Sequence, residues 1–184
     1  MKLRLYHGTA YGFDAFDGRF TLRGSEPNSG LGIHLTEYPG TAAAYAELAA
    51  RDVHAERPRV LVLDVDIGKA ALVDSAEAFL GRGLDDAFDL EGNRTREEFV
   101  EVRLHLQSEG FHAVAVDSPI EDICGAWCVF DPARIEIVGE MTVDEAQELD
   151  ADGAEWNGVE MVPVQLFEGW GEDSGIEDDV VSAP

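Results

Sequence analysis

The order in which strand-like and helix-like segments succeed one another constrains this chain more than any single motif does. "KLRLY" alternates and reads as a first strand, closed by His7-Gly8. Residues 10–32, rich in Gly, Asp, Ser and Arg with scattered Phe, read as a loop long enough to cover a neighbouring surface. "GIHL" reads as a short strand. "YPGTAAAYAELAARDVHAE" is a helix pattern, with Thr41 as its cap, Ala44, Leu48 and Asp52 at helical spacing, and Pro58 beyond its end. "RVLVLDVDI" is a strand with β-branched residues on alternating faces. Residues 75–93 read as a short helix and a loop. "TREEFVEVRLHLQSEG" opens with the capping-box pair Thr95 and Glu98, carries the apolar stripe Phe99, Val102 and Leu106, and stops at Gly110. "HAVAV", "AWCVF" and "RIEIV" then follow as strands, the first two joined through "SPIEDICG" and the last two at Asp131-Pro132. Strands that first alternate with helices and then follow one another directly make a mixed α+β fold, not a doubly wound one.

Composition changes after Gly139, which predicts a domain over 1–139 and an acidic extension over 140–184. The chain of 184 residues carries 38 acids against 13 bases, a net charge of −25. Residues 140–184 hold 14 of the acids and neither Lys nor Arg. In the extension, Thr142 and Glu145 form a second capping-box pair ahead of a short acidic helix. "VEMVPVQLFEGW" is apolar enough to dock, and the last residues read as a solvated tail. So much negative charge repels phosphate backbones and anionic membranes, leaving a basic protein partner as the complementary one. No apolar run reaches the ~20 residues of a membrane span. Cys124 and Cys128 are too few for a disulfide framework and lack zinc-site pairing. The expectation is a cytoplasmic protein without a metal.

Three segments, "YHGT" at the start, "GLGIHLTEYPGTAAAYA" over residues 30–46 and "AWCVFDPARIEI" near the end of the main domain, together resemble the ADP-ribosyltransferase superfamily. The likeness is to its His-Tyr-Glu branch of diphtheria-toxin-like and poly(ADP-ribose) polymerase-like members. It implies a split mixed β-sheet core with flanking helices and NAD as co-substrate. The resemblance further implies that the Gly8 backbone holds the nicotinamide carboxamide and that His7 bonds the adenosine-side ribose with Thr9 beside it. Gly32 would bring the second strand close to the pocket. Tyr45 would stack on the nicotinamide ring, a suitable use of a flat aromatic, and His34 would close the other side. Each residue also has an ordinary reading: a turn at His-Gly, a core tyrosine, a semi-buried histidine with its bonds satisfied. Their joint occurrence favours the functional one. Arg4, Arg19 and Arg23 are surface cations or partners of the pyrophosphate.

The chain departs from the branch at Ala126, where the resemblance calls for a glutamate. Breaking the bond from ribose to nicotinamide builds positive charge on the sugar, which a carboxylate stabilises. Three readings stand side by side: an engineered replacement at Ala126, a substitute acid such as Glu121 or Asp122, or a relative that binds without catalysing. The first implies a mono-ADP-ribosyltransferase acting on a protein acceptor, in the setting of a bacterial or phage toxin or effector. The last implies an acidic binding protein that works through residues 140–184.

Overall fold

The computed structural model describes residues 2–18, 27–53, 57–73, 95–116, 125–151 and 161–163. In chain order these form β1 (Lys2–Thr9), a 3-10 turn (Pro27–Gly30), β2 (Ile33–Thr36), α1 (Pro39–Val53), β3 (Arg59–Asp66), β4 (Ala70–Val73), α2 (Arg96–Ser108), β5 (Ala113–Val116), β6 (Ala126–Val129), a second 3-10 turn (Pro132–Arg134), β7 (Ile135–Thr142), α3 (Val143–Ala151) and β8 (Met161–Pro163). The strands join in one mixed sheet of order β7-β3-β1-β2-β6-β5-β4-β8. β4 pairs in parallel with β5 and β8, and every other neighbouring pair is antiparallel.

Alternation decides what each face buries. Leu3, Leu5, Leu61, Leu63, Val65, Ile33, Leu35, Trp127, Val129, Ala113 and Ala115 share one buried cluster, to which no helix contributes among the described residues. Residues of β1, β2, β3, β4, β5 and β6 meet in it, and Ile135 and Ile137 of β7 pack against it. The opposite faces are covered by helices. Phe99, Val102 and Leu106 of α2 pack on Ala71, Val114 and Cys128. Ala42 and Ala43 of α1 meet Val60 and Ala146 of α3.

Helix α2 takes the expected form: Thr95 accepts from Glu98 N–H, Glu98 answers to the Thr95 backbone, and Gly110 follows with φ +82°. Helix α1 differs. It starts at Pro39, where a missing N–H costs nothing, and Ala42 N–H bonds Tyr38 O, so Thr41 lies inside the helix rather than at its cap. Its buried face is Ala42, Ala43, Ala46 and Ala50, not the stripe through Ala44 and Leu48, of which Leu48 is exposed. Strand β1 continues through His7, Gly8 and Thr9, each still paired with β3, rather than closing at His7-Gly8. The composition change after Gly139 coincides with no break in the fold. β7 runs across it with Glu140, Met141 and Thr142 paired to β3, Ala146 is fully buried, and β8 extends the sheet beside β4. The strand β4 is additional to the sequence expectation. The segment 75–93 and the tail after 163 lie outside the described residues.

Candidate functional site

The two halves of the sheet are joined at β1 and β2 by a single register pair, Tyr6↔Thr36. Beyond it, β1 follows β3 to Thr9↔Arg59 while β2 follows β6 back to Ile33↔Val129, so the strands part. His7 is the first residue past the junction. Its Nδ1 lies 3.0 Å from the His34 carbonyl oxygen and bridges the gap where a ladder bond would otherwise run. A carbonyl only accepts, so Nδ1 carries the proton and, in the neutral ring, Nε2 keeps an acceptor lone pair. Edge-to-face contacts from Phe16, 5.1 Å away, and Phe13, 6.4 Å away, hold the ring's other side. Burial pushes His7 below the ordinary histidine range, and the nearby His34 adds to this while the His34 carbonyl opposes it.

Gly8 faces the other way, toward α1. A Cβ there would stand 1.9 Å from the Ala42 carbonyl oxygen and 2.6 Å from the Ala46 nitrogen, so the close seat of the helix demands glycine. Tyr45 sits on that same turn and is 54% exposed. It follows Ala43 by two residues, about 200° around the helix, and Ala43 is on the flank buried with α3. Gly8 faces α1 at the turn that carries Tyr45, while the His7 imidazole lies on the opposite face of β1.

The other predicted residues have defined places. Thr9 is buried, and its Oγ1 accepts from Tyr11 N–H at 3.1 Å. Gly32 lies against β6, where a Cβ would meet Val129 O at 2.5 Å and Cys128 Sγ at 2.9 Å. The Nε2 of His34 donates to Asn28 O at 3.0 Å and ties the first 3-10 turn to β2, and burial lowers its pKa too. Ala126 heads β6 between its register partners Thr36 and Val116. Glu121, Asp122 and Cys124 lie outside the described residues, in the connection from Val116 to Gly125. Arg19 and Arg23 also lie outside them. Arg4 pairs with Asp64 at 2.7 Å. Burial pushes the Cys128 thiol far up, which makes it inert at neutral pH. Among the described residues no group of His, Cys, Asp and Glu is arranged to hold a metal, and no helix is long and apolar enough to cross a membrane.

One residue beside the junction carried no signal in the sequence. Glu37 follows Thr36, is 5% exposed, and its Oε1 accepts from Trp127 Nε1 at 2.8 Å. Its own N–H bonds Gly125 O at 3.0 Å, so Glu37 locks the end of β2 to the start of β6. Burial raises its pKa, and the indole bond offsets part of that rise. "LTEYPG" reads as an ordinary loop acid, because the tryptophan that receives it is 90 residues away.

No family model and no curated protein matches the sequence. Among solved structures, the fold is similar to a chain of the MbcT–MbcA toxin–antitoxin complex of M. tuberculosis. The TM-score is 0.51 at 18% identity, over 82% of this chain and 90% of that one. At that identity the likeness is one of fold: an α+β architecture in which a split mixed sheet carries flanking helices.

Proposed function

We propose that this protein binds NAD where β1 and β2 part and acts as an NAD-dependent mono-ADP-ribosyltransferase. The observation that carries the reading is the single-pair junction. It opens the sheet edge at His7 and Gly8, and Tyr45 lies on the turn of α1 that seats against Gly8. There the neutral Nε2 of His7 accepts from a ribose hydroxyl, the main chain at Gly8 meets the carboxamide, and Tyr45 stacks on the pyridinium. Cleavage breaks the bond from ribose C1′ to the nicotinamide nitrogen. The electron pair leaves with the ring, which neutralises the pyridinium, and an acceptor nucleophile closes on C1′. Water in place of a protein side chain makes the same chemistry a hydrolysis. Ala126 cannot stabilise the charge on the sugar. We assign that carboxylate to a substitute acid, Glu121 or Asp122, which the sequence offers in "PIEDICG". The likeness to a chain of a toxin–antitoxin complex supports a toxin or effector setting with a protein partner.

Thermal unfolding with NAD tests the site. A hundredfold excess over Kd should add about 2.7 kcal/mol of stability, and Tyr45→Ala should remove most of that while changing the ligand-free protein by about 1 kcal/mol or less. Nicotinamide release that falls in Glu121→Gln or Asp122→Asn identifies the substitute acid, whereas release that appears only in Ala126→Glu marks position 126 as the place of the lost carboxylate. An unmoved Tm with NAD would remove the site altogether.

The strongly acidic composition favours a second reading, a binder that acts through its acid-rich end. Removing residues 140–184 cannot test this, because it takes away part of β7 and the buried Ala146. Removing 164–184 can: loss of function with NAD binding intact would favour the binder.

A further inference from the structure

Arg59 opens β3 opposite Thr9, beside the segment that follows β1. Its Nη2 donates to the carbonyl oxygens of Tyr11 at 3.3 Å and Phe13 at 3.5 Å, while Nη1 pairs with Glu140 of β7. The segment so held presents Phe13 and Phe16, whose rings meet edge to face at 5.1 Å and both contact the His7 ring. The guanidinium therefore reaches the imidazole through Phe13, whose carbonyl it holds and whose ring meets His7, with Phe16 packed on both rings. On its far side the imidazole is anchored by the His34 carbonyl.

We propose that Arg59 is a positioning residue for His7: by clamping residues 11–13 against β3 it seats Phe13 and Phe16 on the imidazole, holding Nδ1 on His34 and presenting Nε2 to NAD. The inference rests on the NAD reading for the identity of what Nε2 meets. The clamp itself rests on contacts within the chain. Arginine suits the task because its planar fork reaches the loop carbonyls and the Glu140 carboxylate at once, which the single ammonium of lysine cannot. Glu140 is also the first residue of the acid-rich stretch, so this pair joins that stretch to the site.

The test reads the His7 ring signals by NMR, assigned through a His7→Gln variant, alongside NAD binding by calorimetry on the full chain. In Arg59→Met the ring signals should move to the positions of a solvent-exposed histidine, and NAD binding should weaken about tenfold, or 1.4 kcal/mol. Arg59→Lys should not restore either. Ring signals that stay in place in Arg59→Met overturn the proposal. If that variant does not fold, Glu140→Gln, a change at an exposed carboxylate, should move the same signals in the same direction by less, and no movement overturns it. Ring signals that move in a protein showing no NAD binding overturn the functional reading, and with it the role given to the clamp.

Discussion

Replacing Gly8 by alanine separates two reasons for a glycine in "YHGT". If the residue were small only so that a ligand could approach, alanine would leave the ligand-free protein nearly unchanged. The structure instead places the added methyl 1.9 Å from Ala42 O and 2.6 Å from Ala46 N, both backbone atoms of α1 that cannot rotate aside. Helix and strand must separate, and overpacking of this kind costs about 1–3 kcal/mol. We take the upper end, because the obstruction is main chain. Alanine in a strand recovers about 0.5–1 kcal/mol relative to glycine, so the net loss is about 2 kcal/mol. For a chain of this size that lowers Tm by about 4–8 °C. Gly12→Ala is the matched control, since the nearest atom there, an Arg59 nitrogen, is 4.0 Å away, and it should stay within about 0.5 kcal/mol of the wild type. Urea denaturation should give the same ranking through its midpoint. A Gly8→Ala protein that melts within about 1 °C of Gly12→Ala would refute the packing argument and return Gly8 to a purely ligand-facing role. Because Tyr45 rides on the displaced turn, the NAD-induced shift should shrink in Gly8→Ala as well.

Phe99→Ala removes a fully buried ring from the seat of α2 and should cost about 3–5 kcal/mol in chemical denaturation. Glu37→Gln keeps an acceptor for Trp127 but removes the charge. In the wild type burial raises the folded-state pKa above 4.5, so the stability Glu37 contributes is present below that pH and lost as pH rises through the folded value. The stability of Glu37→Gln relative to wild type should therefore grow from pH 4 to pH 7 (roughly the span over which a raised carboxyl ionises), and a pH-independent difference would contradict a raised pKa. The imidazoles of His7 and His34 act in the opposite sense. Their folded-state pKa values lie below 6.5, so their contribution is present above that pH and lost as it falls. Comparing the two proteins at each pH cancels this term.

What can be read locally in this chain is what neighbours in sequence decide. The alternation of "RVLVLDVDI" makes β3 wherever it lies, and the pairs Thr95/Glu98 and Thr142/Glu145 cap α2 and α3 from within a single turn. Helix α1 was legible as a helix but not by its face, because alanines show no apolar stripe until a glycine on another strand lets one side come close. His7, Gly8 and Tyr45 could be singled out by type and spacing. That β1 leaves β2 after one pair is a matter of pairing between distant segments, and so is the burial of Glu37 against a tryptophan from the far end of the fold. Local preference reaches about one helical turn or one strand. The gap beside His7 and Gly8 forms between strands whose facing residues, His7 and His34, are 27 apart in sequence, and only the tertiary structure can place it.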